Sequence, residues 1–272
     1  MTLTQAFAPF ADEIFASMRP SVRLTLSTDP ATPFDSKVGG MPYLPKDHSY
    51  PTGTDGKPMA FLAQINFGQM PALPDFPTSG ILQFFIANND DCFGINFDDL
   101  TDRTGYKLIY HAHVLDDINA LQTDIDVDTD EYALPFPTGL SYRISFDEAM
   151  PQAVTAFDFK FDETVPNLAQ FLNDKADQGN YNWELHSEYD TWTQAESHRV
   201  GGYPFFTQDD VRGWEHSEPL SDYVLLFQLA SEYGDEGVEL MWGDCGVGNF
   251  FIHPDDLANL RFDKAFFTFD CC

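Results

Sequence analysis

The sequence predicts a sheet-rich α+β fold made of two homologous half-domains packed about a pseudo-two-fold axis. Three observations carry this. Short blocks recur in one order: KVGGMPYL at 37–44 and RVGGYPFF at 199–206, FLAQI at 61–65 and LLFQL at 225–229, GILQFFI at 80–86 and GVGNFFI at 246–252. The offsets between copies are 162, 164 and 166 (199 − 37, 225 − 61, 246 − 80), a drift of four residues. Each block also reads as a turn or a strand. The repeats run over about 21–115 and 198–272, joined by a divergent acidic segment at about 116–197. Two repeats are too few for a solenoid. Halves that cannot each close a core are expected to pack together as a single domain over 1–272.

In chain order, Phe7, Phe10, Ala11, Ile14, Phe15 and Met18 fall on one helical face, and Pro20 ends the pattern. This predicts an N-terminal amphipathic helix docked on the core. Gly-Gly-x-Pro at 39–42 and 201–204 predicts a turn feeding an extended segment. Glycine adopts positive φ cheaply, and the residue before proline is pushed toward β. The second block alternates as a strand, with Phe61, Ala63, Ile65 and Phe67 opposite Leu62, Gln64 and Asn66. In the second copy Leu225, Phe227 and Leu229 oppose Leu226 and Gln228, so Gln64 and Gln228 hold equivalent places. The third block is apolar throughout, as in a strand covered on both faces. Residues 165–173 read as a short helix with Leu168, Ala169 and Leu172 inward. Pro254 with Asp255 and Asp256 marks another helix start, and AFFTF at 265–269 a closing strand.

Charge excludes several functions. There are 14 Lys+Arg against 44 Asp+Glu, a net charge of −30. Nucleic-acid binding needs a basic surface, and anionic membranes would repel this one. Disorder is excluded by 43% hydrophobic and 15% aromatic residues. No apolar run approaches a membrane span. The N-terminus has no basic leader and carries Asp12 and Glu13 inside its apolar stretch. The four cysteines Cys92, Cys245, Cys271 and Cys272 form no C-x-x-C and no zinc spacing with histidine. The expectation is a reduced cytoplasmic protein.

The strings SKVGGMPYLP, FLAQINF, GILQFFI, LLFQLAS and MWGDCGVGNFFI resemble the YwqG family of bacterial proteins, over nearly the whole chain from about residue 20. That is a family of unknown function. The resemblance implies a cytoplasmic bacterial protein with a mixed, sheet-rich fold and no established catalytic activity. Members of such families also occur among immunity proteins encoded beside bacterial toxins. It implies no catalytic residues.

DIDVDTDE at 124–131 alternates acids like a calcium loop, but Thr129 and Pro135 stand where an EF-hand needs Gly and Glu. A solvated acidic edge is the simpler reading. Cys245 in Trp242-Gly243-Asp244-Cys245-Gly246 invites a nucleophile reading with His253, yet a strand separates them and Asp244 would raise the thiol. His111-x-His113 could share a strand face, while His48, His186, His198 and His216 are scattered. No nucleotide-binding, zinc-protease or hydrolase motif occurs. No catalytic residue, metal or cofactor is expected. Gln64 and Gln228 are polar residues in apolar strands and need hydrogen-bond partners if buried. Either they bind turn backbone, such as the Gly-Gly-x-Pro segments, or they line a groove at the pseudo-dyad with Trp242, Asp244, Tyr43 and Phe205.

Three functional expectations follow. One is a non-enzymatic interaction protein, of immunity or inhibitor type, for a basic partner. Another is a small-ligand binder or enzyme using the groove between repeats. The third explains the acidity by a saline habitat. Residues 112–163 hold twelve acids against Arg143 and Lys160, whereas the repeat blocks are nearly neutral. The charge therefore lies mostly outside the repeated scaffold.

Overall fold

The computed structural model describes residues 3–88, 91–125, 127, 129, 133–174, 182–215, 217–234 and 237–271. Its strands are β1 (Arg19–Ser27), β2 (Lys37–Gly39), β3 (Ala60–Asn66), β4 (Ile81–Ile86), β5 (Tyr106–His111), β6 (Ser141–Phe146), β7 (Met150–Gln152), β8 (Arg199–Gly201), β9 (Val224–Ala230), β10 (Glu232–Tyr233), β11 (Glu239–Leu240), β12 (Val247–Ile252) and β13 (Phe266–Asp270). All but β10 and β11 join one 11-stranded sheet, ordered β13-β12-β9-β8-β1-β6-β2-β3-β4-β5 with β7 beside β1. The sheet is nearly closed and barrel-like. Its two ends approach through Tyr106 of β5 and Phe267 of β13, whose ring centroids lie 5.8 Å apart. Inside, Phe84 of β4 meets Phe227 and Phe250 of β9 and β12, each at 4.7 Å. Such aromatic contacts join strands far apart in sequence and make one continuous core.

The repeated blocks occupy matching places. Lys37 pairs with Gln64 across β2 and β3, and Arg199 with Gln228 across β8 and β9. Gln64 then faces Gln83 on β4, and Gln228 faces Asn249 on β12. The long strands cross over between the two sets. β1 lies beside β8, β6 lies beside β2, and β1 and β6 pair with each other. Leu24 of β1 donates its N–H to His198 O, and Ile144 of β6 donates to Ser36 O. Both Gly-Gly turns run through positive φ, at 67° and 70° for Gly39 and Gly40 and 70° and 77° for Gly201 and Gly202. A Cβ on Gly39 would sit 2.5 Å from Leu140 O, so these turns require glycine for space as well as for φ.

Helices α1 (Ala11–Ala16), α2 (Phe161–Thr164), α3 (Pro166–Asp174) and α4 (Trp183–Thr193) accompany the sheet, and α5 (Pro254–Ala258) follows β12. A second core, with Phe7, Ile14, Val154, Leu168, Leu172 and Tyr189, binds α1, α3 and α4 together. The helix at 165–173 lies where the periodicity puts it, with Leu168, Ala169 and Leu172 buried. The N-terminal helix is shorter than the pattern from Phe7 to Met18 predicts. It is a 3₁₀ turn at Ala8–Phe10 followed by six α-helical residues, with Phe15 48% exposed. Residues 19 and 20 already belong to β1, which limits the helix to less than two turns. His113 lies beyond the end of β5 and is exposed, so it does not share a strand face with His111. Asp126, Asp128, Asp130, Glu131, His216 and Cys272 lie outside the described residues. Within the acidic segment, Ile125, Val127 and Thr129 lie against the first Gly-Gly turn in a cleft of about 240 Å³.

Gln64 and Gln228 are fully buried. Replacing either by leucine strands two carbonyls and the buried N–H of Tyr43 or Phe205, and loss of Gln64 also takes an acceptor from Gln83 Nε2. Gln64→Leu and Gln228→Leu should each lower the unfolding free energy by at least about 3 kcal/mol, measured by urea denaturation. Loss of under about 1 kcal/mol would show that these amides contribute little.

Candidate functional site

The six residues of the expected groove fall in different surroundings. Gln64 Oε1 accepts the Tyr43 N–H at 2.9 Å, and its Nε2 donates to Pro33 O and Asp35 O. Gln228 does the same with the Phe205 N–H, Ala195 O and Ser197 O. Trp242 is buried between Phe93 and Phe269, and Asp244 sits on an exposed turn. Of the six, only Phe205 lines any of four clefts on the described surface.

Other candidates take structural positions. His111 Nε2 lies 2.9 Å from Gln83 Oε1, and burial lowers its pKa to about 4. Cys245 is exposed, with φ at 104°, and β12 intervenes before His253. Among the described residues no three His, Cys, Asp or Glu side chains gather to hold a metal. Asp210 and Asp158 are both paired to the buried Arg212, at 2.5 and 2.8 Å. That triad ties the 158–161 turn to the loop after β8.

The widest of the four clefts, about 490 Å³, lies along α4. This volume falls in the range of small-molecule sites. Asn182 caps the helix by accepting the Leu185 N–H, and Gln194 ends it in the left-handed conformation. Tyr189 anchors the helix from the other side, donating its hydroxyl to Val154 O at 2.8 Å. Trp183, His186, Ser187, Asp190, Thr191 and Gln194 then line the cleft. Their spacing of i, i+3, i+4, i+7, i+8 and i+11 is one helical face. Opposite stand Phe157 and Phe205, in edge-to-face contact at 4.6 Å, with Glu196 beside them. No Lys or Arg is among the described lining residues.

Asp190 is the unusual group. Its Oδ1 is buried without a hydrogen-bond partner. Burial raises its pKa to about 7. Burial also lowers the pKa of His186. Near neutral pH the cleft therefore holds a carboxyl that ionises at a penalty beside an imidazole that resists protonation. Chemically, such a cleft can receive a cation or exchange a proton. Its neighbour, a cleft of about 220 Å³, shares Gln194 and carries the buried Arg199, whose pKa burial lowers to about 9. Arg199 is engaged in structure, donating to Gln194 O and to the hydroxyls of Ser21 and Ser197.

The sequence reading passed over α4 because its apolar stripe is weak. Glu184, Glu188 and Asp190 interrupt it, and its inward residues are a tyrosine, a histidine and a threonine. The signal that could have found it is the Asn182 cap followed by Leu185 and Tyr189 at helical spacing.

Fold and site thus define a sheet-rich α+β protein that carries a cleft lined by aromatic rings and carboxyl groups. The chain belongs to the DUF1963 family, a domain of unknown function, whose sequence profile matches residues 36–271. No curated protein matches it.

Asp190 gives a pH signature. Its folded-state pKa lies above its unfolded value of about 3.8, so the folded protein holds the extra proton between about pH 4 and pH 7. Stability from this group is full at the acid end and is lost as pH rises toward 7. Asp190→Asn removes the penalty. Urea denaturation at pH 8 should show the variant more stable by on the order of 1–2 kcal/mol, after allowance for partial exposure, with a smaller gain at pH 5. Equal changes at both pH values would mean that the carboxyl is not penalised.

Proposed function

We propose that this protein is a non-enzymatic cytoplasmic binding module for a basic protein partner, of immunity or inhibitor type. Its two repeats would act as half-domains of a single domain about a pseudo-two-fold axis. The resemblance to the YwqG family supports this form of the reading. The observation that carries it is an exposed ridge, Val114-Leu115-Asp116-Asp117-Ile118, on a protein of net charge −30. Val114, Leu115 and Ile118 are 37%, 41% and 44% exposed, and the two aspartates between them are exposed. Tyr43 holds the ridge by accepting the Leu115 N–H on its hydroxyl at 2.9 Å. Asp117 caps the turn that follows.

Most of the described cations are buried or engaged; the exception is Lys46, exposed, whose backbone N–H donates to Ala120 O just after the ridge. Lys37, Arg199 and Arg212 are buried. Arg23, Lys57, Arg143, Lys160, Arg261 and Lys264 each pair with an aspartate. Arg19 lies over the Tyr203 ring, and Arg103 and Lys107 donate to backbone carbonyls. A partner with basic residues around an apolar face would bury the ridge and be steered to it by the net charge.

A titration with defined peptides tests this. An amphipathic Lys/Leu 14-mer should bind saturably and more tightly than an all-Lys 14-mer, and both should weaken with salt. Asp116→Lys should weaken the amphipathic peptide about fivefold or more, and Asp209→Lys, an equal change of charge at another exposed aspartate, less than about twofold. Equal loss in the two variants would show a merely global attraction and overturn the reading.

A further inference from the structure

We infer that the α4 cleft is a binding site for an alkylammonium group. Three features point to a cation rather than a neutral or anionic ligand. Trp183, 76% exposed, and the half-buried Phe157 and Phe205 supply ring faces around a cleft of about 490 Å³. Ring faces attract a cation, most of all where water is excluded. Asp190 and Glu196 supply carboxyl groups, and Asp190 Oδ1 has no hydrogen-bond partner among the described residues. A partly buried carboxyl with an unpaired oxygen is an unfavourable arrangement that an ammonium bound beside it would offset. Among the described residues no lysine or arginine lines the cleft to compete for it.

The fold keeps this opening ready. α4 is fixed from behind by Tyr189 and at its end by the Arg199 bond to Gln194 O, so the cleft face is held without using Asp190. Phe205 is set by its N–H bond to Gln228 Oε1 and by Asn249 Nδ2, which donates to its carbonyl at 2.8 Å. Both walls are therefore pre-organised, which lowers the entropy lost on binding.

The ammonium could arrive as a free amine or as a lysine side chain. The second source rests on the basic-partner reading above, whereas the site itself does not. Titration of the full chain, followed by the Trp183 indole resonance in NMR, separates the sources. n-Butylammonium should bind about tenfold more tightly than the neutral 1-butanol. The peptide acetyl-Gly-Lys-Gly-amide should likewise exceed its Nε-acetyl-lysine analogue. Asp190→Asn should weaken both cations about tenfold, Trp183→Ala should weaken them as well, and Glu148→Gln, which removes a carboxylate outside the cleft, should leave them unchanged. Thermal melting establishes that each variant is folded. Equal binding of charged and neutral probes, unchanged affinity in Asp190→Asn, or no binding of either cation overturns the site. If only n-butylammonium binds, the site stands as a small-amine site. Failure here leaves the ridge titration with the Lys/Leu peptide intact, and failure there leaves this site intact.

Discussion

Two peptide groups, those of Tyr43 and Phe205, are held inside the sheet by side-chain amides, and much of the architecture depends on this. Gln64 accepts the Tyr43 N–H while Gln83 donates to its carbonyl at 2.7 Å. Gln228 accepts the Phe205 N–H while Asn249 donates to its carbonyl. Each glutamine also draws in two carbonyls of the segment before its short strand, at 33 and 35 in one block and 195 and 197 in the other. An irregular segment buried beside a sheet would otherwise leave its backbone polar groups unpaired. The amides meet that demand from inside, and the segments after the Gly-Gly turns can then cover the sheet. Lys37 and Arg199 complete the pattern, each buried and each donating to loop carbonyls. These are costly residues to bury, and carbonyl acceptors are what make their burial tolerable.

The same clamp reaches outward to the surfaces proposed to act. Tyr43, fixed by Gln64, holds the Leu115 ridge through its hydroxyl. Phe205, fixed by Gln228, forms one wall of the α4 cleft. Equivalent positions of the repeated blocks thus support different surfaces, because the insertions around them differ. The acidity follows the same division. The buried frame balances its cations against carbonyls and the aspartates beside Arg212, and the exposed insertions carry the unbalanced acids. Asp190 belongs to neither group. Its Oδ1 is buried with no hydrogen-bond partner among the described residues, and such unfavourable groups concentrate at places selected for something other than stability.

The strands of the repeated blocks were legible because their alternation and their recurrence say the same thing twice. The polar glutamines were legible as residues that must find partners, and turn backbone was one of the two readings open for them. Their actual partners were not, since 33–35 and 195–197 carry no pattern that marks them as acceptors. β1 and β6 escaped notice because each is shared between the two sets of strands and half-exposed, with residues such as Arg23 and Arg143 in mid-strand. The α4 cleft was illegible except for Phe205. Its members come from 157, from 183–196 and from 205, and only packing of α4 against the second core turns its polar face toward the two phenylalanines.

By itself the sequence determined the sheet-rich class, the recurrence of three short sequence blocks, the need for glycine at the two turns and the concentration of acids in 112–163. These are local properties: periodicity, φ preference and charge are set residue by residue. Tertiary structure alone decided that β1 and β6 cross between the two sets of strands, and which carbonyls satisfy the buried amides. It also decided that a carboxyl on α4 shares a cleft with aromatic rings and with no Lys or Arg among the described lining residues. Each of these depends on distances between residues far apart in the chain, and burial, which sets the energy of every polar group involved, exists only once those residues have come together.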